Sequence, residues 1–529
     1  MIIFVSDAFS EHYQGGAELT TDAIIDASLF PVNKILSAQV NVQLMENNKD
    51  SLWVFGNFSG VSKDCILYAA KNLDYCVIEY DYKFCEYRSI KKHEKFEGKC
   101  ECHNQTTGKL IAAFMARSKM NFWMSEEQRK LYTSYFPFIK NNVVLNSVFS
   151  ENTLQYLKTL NTTKKNDKWI ILDSPSWIKG RDVSIAYAKD NNLEYELVWG
   201  LKYEELLKKL ASSKGLIFLP LAHDTCPRLV MEAKALNCEL ILNDHVQHRE
   251  EEWFCDVDSM FAHFWQKIED LAAEKLKIAK NSTKSEKNVK IVVPFYNAEK
   301  WLKKCIKSLK MQKYDRFECF LVDDMSSDGS FEAAKHAIAQ DPRFTLIKNK
   351  KKYFALENIA RAIKRAKCKD DDIILLLDGD DWLASTNSLS TLVEHYETEG
   401  CLLTYGSYVL NPTGQRGPEP SKYPEPVIKN NSFREDAWRA SHLRSFTYYL
   451  WKNLNQDDLK DDKGKYYTMA YDQAIMLPLL EMSAERSRYI EDIMYVYNKT
   501  NPLNVDKIKA KQQFDTAQEI RKKDRYKRL

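Results

Sequence analysis

The feature that most narrows the fold of this chain is an alternation between short apolar runs ending in polar residues and segments of helical period. A strand buried on both faces needs a crossover helix to return the chain to the same edge, so the pattern predicts α/β units with largely parallel sheets. In the first half MIIFVS, SLWVFG, YCVIEY, NVVLNS, KWIILDS, LEYELVWG, GLIFLP and CELILND read as strands. Residues 271–287 pass from an amphipathic helical pattern into a polar Lys, Ser and Asn stretch, which reads as a linker. The pattern restarts with VKIVVPFYN, the helical WLKKCIKSLKMQ, then ECFLVDD, FTLIKN and DIILLLDGDD. The predicted order is two subdomains at residues 1–150 and 151–270, the linker, a second α/β domain at 288–500 and a basic helical tail at 501–529.

A chain of 529 residues exceeds one ordinary core, and 44% apolar with 12% aromatic residues is a globular composition, so most of it should fold. Lys and Arg (77) nearly balance Asp and Glu (74), which argues against bulk polyanion binding and leaves local patches to carry function. The start, MIIFVSDAF, lacks a basic leader and reads as a first strand, not a signal peptide. No run approaches the eighteen or so apolar residues of a membrane span, so the expectation is a soluble, cytoplasmic chain. Twelve cysteines in that setting read as reduced thiols, not a disulfide framework.

The stretch IILLLDGDDWL (373–383) runs an apolar strand into Asp378, Gly379, Asp380 and Asp381. Hard oxygen ligands at a strand end suit Mg2+ or Mn2+, which take few carboxylates plus the phosphates of a substrate. The other reading is a solvated loop that caps the next helix. A second strand end, VDDMSSDGS, brings Asp323 and Asp324, which can accept hydrogen bonds from a nucleobase and ribose. A third, VVPFYNAEKWL, brings Pro294 and a polar turn. Three such ends on one sheet describe a pocket for a nucleoside diphosphate at the carboxyl edge of the strands.

VPFYNAEKWL, VDDMSSDGS, DGDDW and a late YDQAI together resemble the family 2 glycosyltransferases, which have the GT-A fold, over about residues 288–500. The resemblance implies that Pro294, Tyr296, Asp323, Asp324 and Asp381 line the donor site. It implies also that Asp378 and Asp380 form the DxD element holding ribose and Mn2+ or Mg2+, with Asp380 catalytic through the metal. His442 and Asn498 are candidates for closing the metal site or holding the acceptor. Asp472, in YDQAI, matches the base that takes the proton of an acceptor hydroxyl. Each has a plainer reading: Asp472 as a charge at a helix N-terminus, His442 as a structural hydrogen-bonder. Trp438, Trp451, Tyr448 and Tyr449 are either a stacking surface for a sugar or core. The implied reaction is inverting transfer from a UDP- or GDP-sugar to a glycan, lipid-linked or other hydroxyl acceptor.

In the first half Gly15 and Gly16 precede a helix, where backbone N–H groups can approach a phosphate. Farther on, FLPLAHDTCPRLVMEAKALNCELILND and IKGRD resemble the family 4 glycosyltransferases of the GT-B fold. That implies Asp224 and Glu232, eight apart, on the donor sugar and ribose, and Lys179 on its phosphates. Ser174 stands where that family has an arginine, with Arg181 and Arg228 as substitutes. The expectation is a bifunctional transferase. Its alternatives are an acceptor-binding first half beside one active domain, and a non-catalytic glycan-binding or scaffolding protein.

CEYRSIKKHEKFEGKCECH places Cys85, His93, Cys100, Cys102 and His103 close together, which allows a structural Zn2+ site, reduced surface thiols or a local disulfide. The basic tail reads as a solvated helix face or as a contact to an anionic membrane or a nucleic acid.

Overall fold

The computed structural model of the chain describes residues 1–225, 227–247, 249–250, 263–277, 286–503 and 510–529. The chain divides into two compact units, one of residues 2–28 and 32–271, the other of Met1, 29–31 and 272–529. Part of the expected linker, 278–285, lies outside the described residues, and the helix Trp265–Leu276 enters the rest of it. Among the described residues no helix is long and apolar enough to cross a membrane.

The N-terminal unit holds two wholly parallel, Rossmann-like sheets. The first has strands β1 (Ile2–Ser6), β2 (Val32–Leu36), β3 (Leu52–Phe55), β4 (Asp74–Glu79), β5 (Met120–Trp123) and β6 (Asn142–Val144) in the order β2-β1-β3-β4-β5-β6. The second has β7 (Trp169–Leu172), β8 (Tyr195–Val198), β9 (Gly215–Phe218) and β10 (Glu239–Leu242) in the order β10-β9-β7-β8. Two of these strands escaped the sequence reading for identifiable reasons. β2 is an edge strand, partly exposed and carrying Asn33 and Lys34. β5 is interrupted by Asn121, whose buried amide donates to Met115 O (3.0 Å) and Lys140 O (3.1 Å).

The C-terminal unit is built on one eight-stranded sheet: β11 (Val289–Phe295), β12 (Phe317–Asp323), β13 (Phe344–Lys348), β14 (Ile373–Leu376), β15 (Trp382–Leu383), β16 (Leu403–Asn411), β17 (Arg444–Thr447) and β18 (Ser487–Asn498). Its order is β13-β12-β11-β14-β17-β16-β18-β15. The first four are parallel, as the sequence suggests. β17 runs antiparallel to β14 and to β16, and β15 to β18, while β16 and β18 are parallel to each other, so two reversed strands are set into a largely parallel sheet. Along β11 the side chains alternate between two cores. Val292 joins helices Phe354–Arg365 and Tyr471–Ser483, while Val289, Ile291 and Val293 join helices Glu299–Lys310 and Ser388–Thr398.

The basic tail is part of this unit, which corrects the expectation of a separate segment. In the helix Ala510–Arg521, Ala517 and Ile520 enter the core beside helix Tyr471–Ser483. Their spacing of three puts them on one helix face, a short apolar signal inside a run of charge. The buried Arg434 makes a two-pronged bond to Glu481 (2.6 and 3.0 Å) and donates to Ile520 O (2.7 Å). Arg521 donates to the carbonyls of Arg434 and Asp436, and Arg525 and Arg528 pair with Glu435 and Glu485. Glu481→Ala would leave Arg434 buried without its counter-ion and should destabilise the unit by about 3–5 kcal/mol. Ile520→Ala should cost about 2–4 kcal/mol, and the exposed Lys522→Ala less than about 0.5 kcal/mol. Urea unfolding of the three variants, compared at the transition of this unit, checks the ranking.

Candidate active site

The strand ends of β11, β12 and β14 meet at one edge because their registers are aligned: Phe295 lies beside Asp323, and Val292 beside Leu376. Gly379 lets the turn after β14 cross over β11, since a Cβ there would lie 2.4 Å from Phe295 Cβ. Its N–H donates to Pro294 O (3.2 Å), and Asp381 N donates to Asp378 O (3.0 Å), so three aspartates are wound into one tight turn. The result is a cavity of about 340 Å3 lined by Pro294, Tyr296, Asp324, the DGDD turn, His442, Arg444 and Tyr471–Asp472, among others. Asn297, Met325, Phe354 and Ala470 all have positive φ (48°, 69°, 62° and 46°), and each follows a strand or begins a helix at this edge. Such backbone is costly, and it gathers where loops are held for a purpose.

The two carboxylates at the end of β12 have different tasks. Asp324 caps the helix Phe354–Arg365, accepting from the backbone N–H of Tyr353 (2.8 Å) and Phe354 (2.9 Å). Asp323 is fully buried: one oxygen accepts from Ser326 N (3.0 Å), and Oδ2 has no hydrogen-bond partner among the described residues. Tyr296 is 39% exposed, with Lys352 Nζ 3.3 Å from its ring centroid.

The acidic turn is dominated by desolvation. Asp381 is 1% exposed and accepts from Tyr495 OH (2.6 Å) and Asn498 N (2.7 Å). Burial, then repulsion from Asp380 and Asp378, pushes its carboxyl far above the ordinary range. Burial likewise lifts Asp380 to about 6, opposed by a hydrogen bond from Asn501 (2.6 Å) and helped by Asp378. Asp378 accepts from Tyr471 OH (2.7 Å). Asp472, the second residue of helix Tyr471–Ser483, is raised by burial against the opposing charge of Arg444.

Arg444 is the cation in this cluster, and the sequence reading missed it. It sits at the start of β17, paired with Leu376, so the sheet register itself delivers it beside the DGDD turn. Its guanidinium lies 3.6 Å from Asp378 and 3.7 Å from Asp472 and donates to His442 Nδ1 (3.1 Å). Its place two residues after His442 was the one available signal. Burial, followed by Arg444, holds the His442 imidazole well below its ordinary pKa, and the ring stacks on Tyr495 at 4.4 Å. Asp378, Asp381 and His442 offer ligand atoms within 4.8 Å of one another, whereas Asp380 is turned to Asn501. Two carboxylates and a neutral imidazole are a fitting donor set for a divalent cation. Trp451 is core, stacked on Phe446, and Trp438 and Tyr448 pack against the same cluster. The Asn498 side chain accepts from Asn411 (3.1 Å) and Thr500 (2.7 Å).

In the N-terminal unit the donor candidates are engaged with one another. Lys179 pairs with Asp224 at 2.5 Å. Glu232, 2% exposed, accepts from Tyr203 OH (2.6 Å) and Arg228 Nε (3.1 Å), and Arg228 also reaches Thr20 (3.3 Å). Gly15 caps the helix Gly16–Ala27, and a Cβ on Gly16 would meet Arg228 Cβ at 3.4 Å. Arg181 is drawn to Asp173, on the wall of a separate cleft with Trp177 and Trp199.

Residues 290–452, which lie in the C-terminal unit, match the family Glycosyl transferase family 2. Glycosyltransferase GlyG of Streptococcus pneumoniae serotype 4 is 30% identical over 120 residues, 23% of this chain and 38% of that protein. The uncharacterized glycosyltransferase EpsJ of Bacillus subtilis is 25% identical over 232 residues, 43% of this chain and 65% of that protein. The chain thus spans less than two thirds of these relatives. A solved S. aureus TarS fragment in complex with UDP-GlcNAc is 15% identical over 44% of this chain and 65% of that one, with a TM-score of 0.35.

Because Arg444 opposes the upward shift of Asp472, Arg444→Met should raise that pKa further. If Asp472 serves as a base, which works only when ionised, the acidic limb of the rate profile should move to higher pH. A pH–rate series on both proteins reads the shift; an unmoved limb would mean that Asp472 is not the group titrating.

Proposed function

We propose that the C-terminal unit transfers a sugar from a nucleoside-diphosphate donor to a hydroxyl acceptor. The observation that carries this reading is the convergence of three strand ends, the DGDD turn and Asp472 on one cavity within and beside the family 2 match. In this reading Tyr296 and the buried, unpartnered oxygen of Asp323 at the floor of the site hold the nucleoside of a UDP- or GDP-sugar. Asp378, Asp380 or Asp381, and His442 would hold Mn2+ or Mg2+, which when bound stabilises the negative charge growing on the diphosphate leaving group. Asp472 accepts the proton of the acceptor hydroxyl as that oxygen attacks the anomeric carbon and the bond to phosphate breaks, inverting the centre. Arg444 positions Asp378 and Asp472, each facing a different nitrogen of its guanidinium. The acceptor is a glycan, a lipid-linked glycan or another hydroxyl compound.

A second transferase in the N-terminal unit would use Lys179, Asp224 and Glu232. Their mutual pairing favours instead a single active domain beside a binding module, because Lys179 and Asp224 neutralise each other and Glu232 is closed in by Arg228 and Tyr203. Glu232→Ala would strand a buried arginine, so the half-exposed Lys179 is the better probe. With one active domain, Lys179→Ala leaves product mass and transfer rate on a defined acceptor unchanged; loss of one sugar from the product would establish bifunctionality.

Asp380→Ala should abolish nucleotide-sugar hydrolysis and transfer with little loss of stability, since it removes a carboxylate that burial already penalises. Asp472→Asn should lower kcat by about a hundredfold or more while donor binding persists. Full transfer in excess chelator would sink the metal assignment, and a wild-type rate for Asp472→Asn would sink the base.

A further inference from the structure

The connection from Tyr80 to Gln105, between β4 and the helix Thr106–Arg117, carries four ligand-type side chains with no place in the transfer reaction. Cys85, His93, Cys100 and Cys102 are all buried, and their ligand atoms lie within 4.8 Å of one another. Cys85 Sγ is 3.7 Å from Cys100 Sγ and 3.8 Å from His93 Nδ1, and Cys102 Sγ is 3.4 Å from the same nitrogen. A tetrahedral zinc with Zn–S near 2.3 Å and Zn–N near 2.05 Å sets its sulfurs about 3.8 Å apart and sulfur from nitrogen about 3.5 Å. The edges observed are those of that polyhedron. They are far from the roughly 2.05 Å of a disulfide.

The local sequence builds the arrangement. Turns closed by Cys85 N to Tyr82 O and Arg88 N to Cys85 O (both 2.8 Å) bring the chain round. Ser89 then caps the helix Ile90–Glu97, which turns His93 back toward Cys85. On the far side Gly108 lets the Cys102 turn lie against the next helix, since a Cβ there would be 2.1 Å from Cys102 O. His103 is not part of the set; its ring stacks on Tyr135 at 4.3 Å.

The energetic need is visible in the same helix. Of IKKHEKFE only Ile90 and His93 are buried, too little apolar area to hold a highly charged helix in place. We infer that Cys85, His93, Cys100 and Cys102 bind one Zn2+ as a closed structural site. Three soft sulfurs and one imidazole select zinc over Mg2+ or Mn2+, and four protein ligands leave no position for substrate. The site anchors Lys95 over the ring of Trp177 (4.0 Å), on the wall of the cleft beside β7.

The test uses the full chain, expressed with zinc and purified under reducing conditions. Elemental analysis should find one zinc per chain that survives dialysis against a weak chelator. The cobalt-substituted protein should show thiolate charge-transfer bands of three sulfurs and the ligand-field bands of a tetrahedral ion, a readout independent of any variant's folding. Cys100→Ser with Cys102→Ser should lose the metal, whereas Asp380→Ala should keep it, which separates this site from the proposed transferase centre. A zinc-free protein with three alkylatable thiols, a Cys85–Cys100 disulfide in the mass spectrum, or zinc content unchanged in the double variant would each overturn the assignment.

Discussion

The C-terminal unit is arranged around one expensive juxtaposition: four carboxylates, Asp378, Asp380, Asp381 and Asp472, share one cavity, and burial disfavours the charge of the last three. Arg444, itself 3% exposed, answers part of that cost by facing Asp378 and Asp472 at 3.6 and 3.7 Å. The remaining carboxylates are handled by donors instead of charge, with Tyr495 and Asn498 on Asp381 and Asn501 on Asp380. A divalent cation, as proposed above, would cancel the carboxylate charge that protein groups leave unpaired. The far half of the sheet brings these partners to the acidic turn: the reversed strand β17 supplies Arg444, and β18 supplies Tyr495 and Asn498.

The same economy explains why motif residues in the N-terminal unit read differently in three dimensions. Lys179 and Asp224, both expected to touch a donor, satisfy each other. Glu232 is buried deeply enough that Arg228 and Tyr203 are needed to keep it satisfied, and Arg228 in turn stitches the second sheet's helix to Thr20. Side chains expected at a donor can thus serve as internal support once their charges find partners inside the fold. The cysteine-rich connection follows a related rule, since a helix with two buried residues must be held by something other than apolar area.

Much of the parallel architecture was legible because it depends on period and punctuation. MIIFVS, VKIVVPF, ECFLVD and IILLL are apolar runs that end in polar residues, and each is a strand whose carboxyl end faces a turn. The DGDD turn and its neighbours VDD and VPFYN were legible for the same reason: a carboxylate at a strand end in an α/β sheet has few places to go. The short, polar β2 and β5 were not, because an edge position and a buried asparagine erase the apolar signal.

What the sequence by itself determined, then, is most of the parallel strands and the acidic strand ends they carry, since local hydrophobicity and chain direction are enough to place the strongly apolar ones. What only the tertiary structure decided is who neutralises whom. Arg444 reaches Asp378 through the pairing of β14 with β17, Asn501 reaches Asp380 across 121 positions, and Arg434 closes the basic tail onto Glu481. Such long-range partnerships have no local period to betray them, because they are selected by the desolvation cost of a buried charge, and that cost arises only when the chain is folded.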